Sequence, residues 1–456
     1  MIVPNNRLIL SKLIRVIERF IMFYEKNREH FFALMPLNSV AVIFSGTQKQ
    51  RSNDTSFPFR QESNFYYLTG FLEDDAVLVM KKDEDKNESI LFVHPKDPLK
   101  EMWEGKCLGV EKAPTTLKVD RSFSINDFDK ELPELLKKSQ LLYCQSALKA
   151  KKIDPILTKL KAGKEGHLYP DSYMEIEKSL LLLRRKKQPY EIDNIKKALE
   201  ITKKAHHAAM AAAKPSKYEY DIMAIVEYIF KTGGASWDAY TTIVANGNNA
   251  NTLHYVSNQH RLVDGDLILM DAGSEFKLYA SDITRCFPVN GKFSQAQKEV
   301  YEIVLKTQKA VIAEIKPGVL RSFIGDLAIR MLSQGLIDLK ILDEKLEVII
   351  KKELYKPYYP HGIGHWMGLD VHDPIAYKDE SDKEFAFEVG DVLTIEPGLY
   401  LEAGDKKIPK KYRGIGIRIE DNILVTKSGH ENLSFGIAKE VAEIEKCCQA
   451  DLYEFI

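Results

Sequence analysis

The chain has 456 residues, 45% hydrophobic and 29% charged, an ordinary globular mixture with enough length for two domains. A formal net charge of −1 leaves no overall field to draw it to nucleic acid or to an anionic membrane. Five scattered cysteines, an odd number with no CxxC pair, exclude a disulfide framework and predict a reduced, cytoplasmic protein.

Residues 1–21 read as an N-terminal extension. Arg7, Lys12, Arg15, Glu18 and Arg19 interrupt every apolar run. The stretch therefore lacks both a signal peptide's continuous apolar core and the length of a membrane span. A short extra helix, or an upstream start codon ahead of Met22, is preferred over an amphipathic presequence.

Residues 22–187 read as an α/β domain, with strands at 40–44, 66–68, 76–80 and 90–93 and a helix near 127–138. The basic run Arg184-Arg185-Lys186-Lys187, beside Pro189, reads as a solvated interdomain segment. From Glu191 the pattern changes, and helices are predicted at 191–213, 219–231, 296–315 and 322–335. The first ends in Lys214-Pro215-Ser216 and the third in Lys316-Pro317-Gly318, where proline stops a helix. Each is followed by a second helix, a glycine break (Gly233-Gly234 and Gly335) and a later strand–turn–strand. The order of 191–290 recurs in 296–426. Residues 188–456 are therefore predicted to form one α+β domain with a pseudo-twofold internal repeat, its ligand site between the halves.

Each half carries acids within apolar strands. Asp271 ends LILMD and Asp282 begins the return strand. A turn centred on Phe276-Lys277 would set the two directly opposite, with Cβ atoms about 4.5–5.5 Å apart. TIEPGLY and IRIED repeat the device with Glu396 and Glu420. A single strand-end acid is usually a turn former, but two opposed pairs in apolar strands need protons, partners or metal. Two divalent cations balance four carboxylates. The stretch HGIGHWMGLDVHD, residues 361–373, adds His361, His365 and His372, and its glycines and Pro374 exclude a helix. One of these imidazoles completes a five-ligand, oxygen-rich set, and the others are left for the substrate. Such ligands suit manganese, cobalt or zinc. Two ions about 3.5–4 Å apart bring a bridging water close to ionisation at neutral pH, producing hydroxide.

FRQESNFYYLTGF (59–71), NTLHY, LMDAG, SDITRCFPVNGKF, HGIGHWMGLDVHD, TIEPGLY and YRGIGIRIED follow one another along the chain. In that order they resemble the pita-bread metallopeptidases, and within them the Xaa-Pro aminopeptidases (aminopeptidase P). The resemblance implies an N-terminal domain of the creatinase/aminopeptidase P type and a pita-bread catalytic domain. It also implies two divalent ions per chain, manganese first among them. Asp271 would chelate one ion, His365 and Glu396 the other, and Asp282 and Glu420 both. His254 matches a histidine for proton transfer, His361 and His372 ones that position the scissile peptide, and Arg418 an arginine that orients ligands and substrate. Glu396 is the candidate proton acceptor. Tyr240 is either a neighbour of the ligands or a core aromatic. The implied reaction removes a residue preceding proline from proline-containing peptides, in a homo-oligomer, dimer or tetramer. Gly364 and RGIGIRIED also suit prolidases, whereas Trp366 and the DVHD run favour the aminopeptidases. A metal-free binding scaffold has no reason to keep the full ligand set.

Overall fold

A computed structural model describes residues 22–456, so the predicted extension lies outside the described residues. The chain divides into two compact units, the first ending at Arg184 and the second running from Arg185 to Ile456.

The first unit is built on a mixed six-stranded sheet. Its order is Arg121–Ser124, Asn87–Val93, Val77–Lys82, Ser39–Phe44, Leu141–Cys144 and Ser172–Glu175. Central Ser39–Phe44 is buried throughout, antiparallel to Val77–Lys82 and parallel to Leu141–Cys144. Phe128, Leu132, Leu135 and Leu136 of helix Phe128–Leu136 pack on Val40, Val42 and Phe44. Residues 66–68, expected as a strand, lie instead in helix Ser63–Thr69. Glu62 caps its start, accepting from the Phe65 amide at 2.6 Å, and Gly70 ends it at φ +65°. Every residue of this helix is buried, so its hydrophobicity has no period to read.

Three of the four residues of the basic run are not solvated: Arg184, Arg185 and Lys187 are 2%, 3% and 5% exposed, and only Lys186 faces solvent. Arg185 grips Asp391 through Nε at 3.0 Å and Nη2 at 2.7 Å, and lies over the Trp366 and Phe385 rings. Lys187 Nζ sits 3.0 Å from Asp373 Oδ2. These partners stand almost two hundred residues away along the chain, too far for a local pattern to reveal them.

The second unit contains two halves of like order. Helices Pro189–Ala212 and Glu219–Thr232 open the first, and Gln295–Ala313 and Arg321–Asp338 the second. Gly335 does not break the last helix. A Cβ there would lie 2.4 Å from Ile303 Cγ2, so the glycine permits close contact between two helices. Strand Leu267–Asp271 lies between Ile243–Asn246 and Thr284–Pro288, with Asp271 opposite Thr284. The hairpin continues as Ser274–Phe276 against Tyr279–Ala280 around Lys277-Leu278, both at positive φ. The turn thus lies one residue beyond the expected centre, and Asp282 falls diagonal to Asp271 rather than opposite it. In the second half Ile395 pairs with Asp421, and after a gap Gly398 pairs with Arg418. That register, carried across the gap, sets Glu396 against Glu420. Both halves therefore interrupt a two-strand ladder where their acids lie. Among the described residues no helix is long and apolar enough to cross a membrane.

Candidate metal centre

The interrupted ladders aim their acids into one cavity of about 310 Å3. Asp271, Asp282, Glu396, Glu420, His254, His361, His365, His372 and Arg418 all line it, so every expected site residue reaches the same space. Donor atoms of Asp271, Asp282 and Glu420 lie within 4.8 Å of one another, as do those of His365, Glu396 and Glu420. His365 Nε2 is 3.3 Å from Asp282 and 3.6 Å from Glu396. These five are the expected ligands. Asp282, His365 and His372 form a third such group, and the His365 and His372 ring centres are 3.8 Å apart.

Neighbouring groups hold four of the expected ligands in place. Asp271 receives the Tyr240 hydroxyl on one oxygen and Arg418 Nη2 on the other, both at 2.6 Å. Tyr240 is thus a neighbour of the expected ligands. The Asp282 amide donates to Asn422 Oδ1, and Asn422 Nδ2 returns a bond to the Asp282 carbonyl. Thr284 donates to Glu420 at 2.8 Å, and Thr394 accepts from the His365 amide at 3.0 Å. Sequence reasoning missed Thr284, Thr394, Asn422 and Tyr400. Strand alternation held a signal for all four: Thr284 is two residues from Asp282, Thr394 two from Glu396, Asn422 two from Glu420 and Tyr400 four from Glu396.

The electrostatics fit divalent cations. Burial raises the Asp271 and Glu420 carboxyls above their usual range, and mutual repulsion among the acids adds to it. Glu396, which touches the cavity but lies deep in the protein, is pushed up to about 7. Among the described residues Arg418 is the one arginine or lysine bonded to these carboxylates, too little charge for four of them. His365 Nδ1 lies 3.1 Å from the Trp366 carbonyl, which accepts a hydrogen bond from Nδ1–H and leaves Nε2 facing the acids. Burial would lower the His365 pKa, but Asp282 and Glu396 lift it to about 9. A positive charge at that nitrogen is what these carboxylates favour, and a metal ion supplies it with +2. His361 is different: burial pulls it down to about 4. Neutral, it donates from Nδ1 to the Gly362 carbonyl at 2.8 Å and accepts the Tyr400 hydroxyl at Nε2, also at 2.8 Å.

Residues 193–427 match metallopeptidase family M24, and residues 24–143 match the aminopeptidase P N-terminal domain. The chain belongs to metallopeptidase family M24. Within this family it is 42% identical to the Xaa-Pro aminopeptidase of Haemophilus influenzae, over 92% of this chain and 96% of that protein. The structure of proline aminopeptidase P II from Yersinia pestis matches with a TM-score of 0.91 and 39% identity, covering 94% of this chain and 99% of that one. Zinc-substituted aminopeptidase P of Escherichia coli in complex with product matches at 0.90 and 38%, over 94% and 98%. Family M24 membership implies divalent metal ions, and the donor set described above suits them.

Proposed function

We propose that the chain is an Xaa-Pro aminopeptidase that hydrolyses the bond between an N-terminal residue and a penultimate proline. Two divalent ions serve it, manganese by preference and cobalt or zinc as substitutes. The convergence of Asp271, Asp282, His365, Glu396 and Glu420 in one cavity, with three further histidines and Arg418 around it, carries the reading. Relatives named Xaa-Pro aminopeptidase, at 42% and 39% identity, support it.

Asp271 is assigned to one ion, His365 and Glu396 to the other, and Asp282 and Glu420 to both. These last two are the carboxylates that recur in more than one donor group. Divalent ions held there supply a water that ionises near neutral pH and a Lewis acid for the scissile carbonyl. Glu396 is assigned the proton that the attacking water gives up. His361, tethered to Tyr400 and Gly362, positions the scissile peptide, and His372 faces the oxygen on which charge develops. His254, exposed at the cavity rim, hands a proton to the leaving nitrogen. Arg418 fixes Asp271 and Tyr400 together. A bond to proline has no N–H, so recognition rests on the ring's shape, near His254, His372 and Arg418. The substrates are proline-containing peptides, and the working form is a cytoplasmic homo-oligomer, dimer or tetramer.

The deciding experiment strips the metal, restores ions singly, and assays an Xaa-Pro dipeptide, an Xaa-Pro-Yaa tripeptide and its alanine counterpart. The tripeptide should be cleaved best, with manganese. Preference for the dipeptide would make the enzyme a prolidase, and indifference to proline would remove both assignments.

A further inference from the structure

Two arginines line the cavity, and they are bonded very differently. Each nitrogen of Arg418 is engaged, Nη2 with Asp271, Nη1 with Tyr400 and Nε with Thr284. Arg321, the first residue of helix Arg321–Asp338, donates from Nε at 3.2 Å and Nη2 at 2.8 Å to a single acceptor, the Gly364 carbonyl. Its guanidinium carbon lies 4.3 Å from the centre of the Tyr377 ring, another group lining the cavity. Among the described residues no carboxylate pairs with it, and its Nη1 has no hydrogen-bond partner. Gly362 makes room for this guanidinium, since a Cβ there would lie 2.7 Å from Nη2. A half-buried cation without a counter-ion, held against a tyrosine face and cradled by a glycine, is ready for an anionic ligand.

We propose that Arg321 binds the C-terminal carboxylate of short peptide substrates and so selects peptides by length. The proposal rests on the aminopeptidase reading for the position of the cut. Arg418 is already engaged at every nitrogen, by Asp271, Tyr400 and Thr284, which leaves Arg321 to receive a substrate carboxylate. An extended chain advances about 3.3–3.6 Å per residue, so the carboxylate of a tripeptide ends about 7 Å beyond the bond cut after its first residue. The cavity's volume, about 310 Å3, is at the small end for ligand sites and suits such a peptide better than a long one. The planar guanidinium offers Nη1, together with the second hydrogen of Nη2, as a two-pronged donor to a carboxylate.

The test crosses substrate with variant. For the manganese-loaded full chain, kcat/KM is measured on an Xaa-Pro-Yaa tripeptide and on its C-terminal amide. The wild type should favour the free acid by about 10- to 100-fold, the worth of a charge-assisted hydrogen bond. Arg321→Met should abolish that preference by slowing the acid and leaving the amide unchanged, and Arg321→Lys should restore part of it. Equal losses on both peptides would mean that Arg321 only braces Gly364, and a wild type indifferent to the amide would equally overturn the proposal. Calorimetric binding of the dipeptide Pro-Leu and of its amide to metal-free protein reads the same contrast without turnover. An Arg321-dependent preference there, without cleavage of Xaa-Pro peptides, would retain Arg321 and reject the aminopeptidase reading. No such preference in binding rejects Arg321's role itself.

Discussion

Arg285, wholly enclosed behind the carboxylates, donates to the carbonyls of Thr284, Glu420, Ile437 and Ala438 and to Asp421 Oδ1 at 2.7 Å. Its bonds fix the backbone from which Glu420 projects. Arg285→Met would leave Asp421 with Lys439 as its one remaining cation among the described residues and should destabilise the fold by about 3–5 kcal/mol, read from denaturant unfolding. At the neighbouring residue, Glu420→Ala should lose tight binding of both ions and essentially all turnover, since Glu420 belongs to two donor groups. Elemental analysis checks it, and two ions retained at near-normal activity would refute the shared-ligand assignment. The histidines should divide by position. His365→Ala should weaken metal retention. His254→Ala and His372→Ala should retain metal and lose about 10²–10⁴-fold in rate.

Among elements, the segment 366–375 shows how the site is shaped from outside it. The Asp373 amide donates to the Trp366 carbonyl, closing a loop that brings His372 against His365. Lys187 reaches into this loop to Asp373, and a Cβ on Gly368 would collide with both side chains. Replacing the ion pair with Lys187→Met and Asp373→Leu together should spare most of the stability and reduce kcat much as His372→Ala does. Adding His372→Ala to that pair should then cost little more, and additive losses would show that the loop does not act through His372. Beside it, Glu191 completes the cap of helix Pro189–Ala212, accepting from the Gln188 amide, and burial lifts its carboxyl to about 7. The folded chain thus keeps a proton that the unfolded chain releases, so stability falls as pH rises toward and through 7. Glu191→Gln should flatten the Tm profile between about pH 5 and 8. Sequence alone made the acid-bearing strands legible because apolar runs flank them, and proline and glycine marked most helix ends. Its failures have physical causes. Lys277 and Leu278 adopt positive φ without the usual turn residues, the 63–69 helix is buried on every side, and Gly335 serves a neighbouring helix. Arg321 stayed hidden because its contacts, Gly364 and Tyr377, belong to a distant segment.

For the whole molecule, the carboxylates make stability depend on metal. Chelation should lower Tm, and a divalent ion at a hundred times its Kd should return about 2.7 kcal/mol per site. Scanning calorimetry with and without chelator measures this, and an unchanged Tm would mean that no ion resides there. The long-range ion pairs of the second unit also bear on how the chain is made. Lys187 and Asp373 are separated by 186 residues, Arg185 and Asp391 by 206, and Asp271 and Arg418 by 147. At about 5–20 residues per second, a ribosome takes about 7–40 s to deliver these second partners. Until then Arg185, Lys187 and Asp271 leave the exit tunnel with their charges unmatched. Glu420, a ligand assigned to both ions, is among the last parts of the site to emerge. Capture of metal therefore waits for the emergence of Glu420 rather than for the first folded helices.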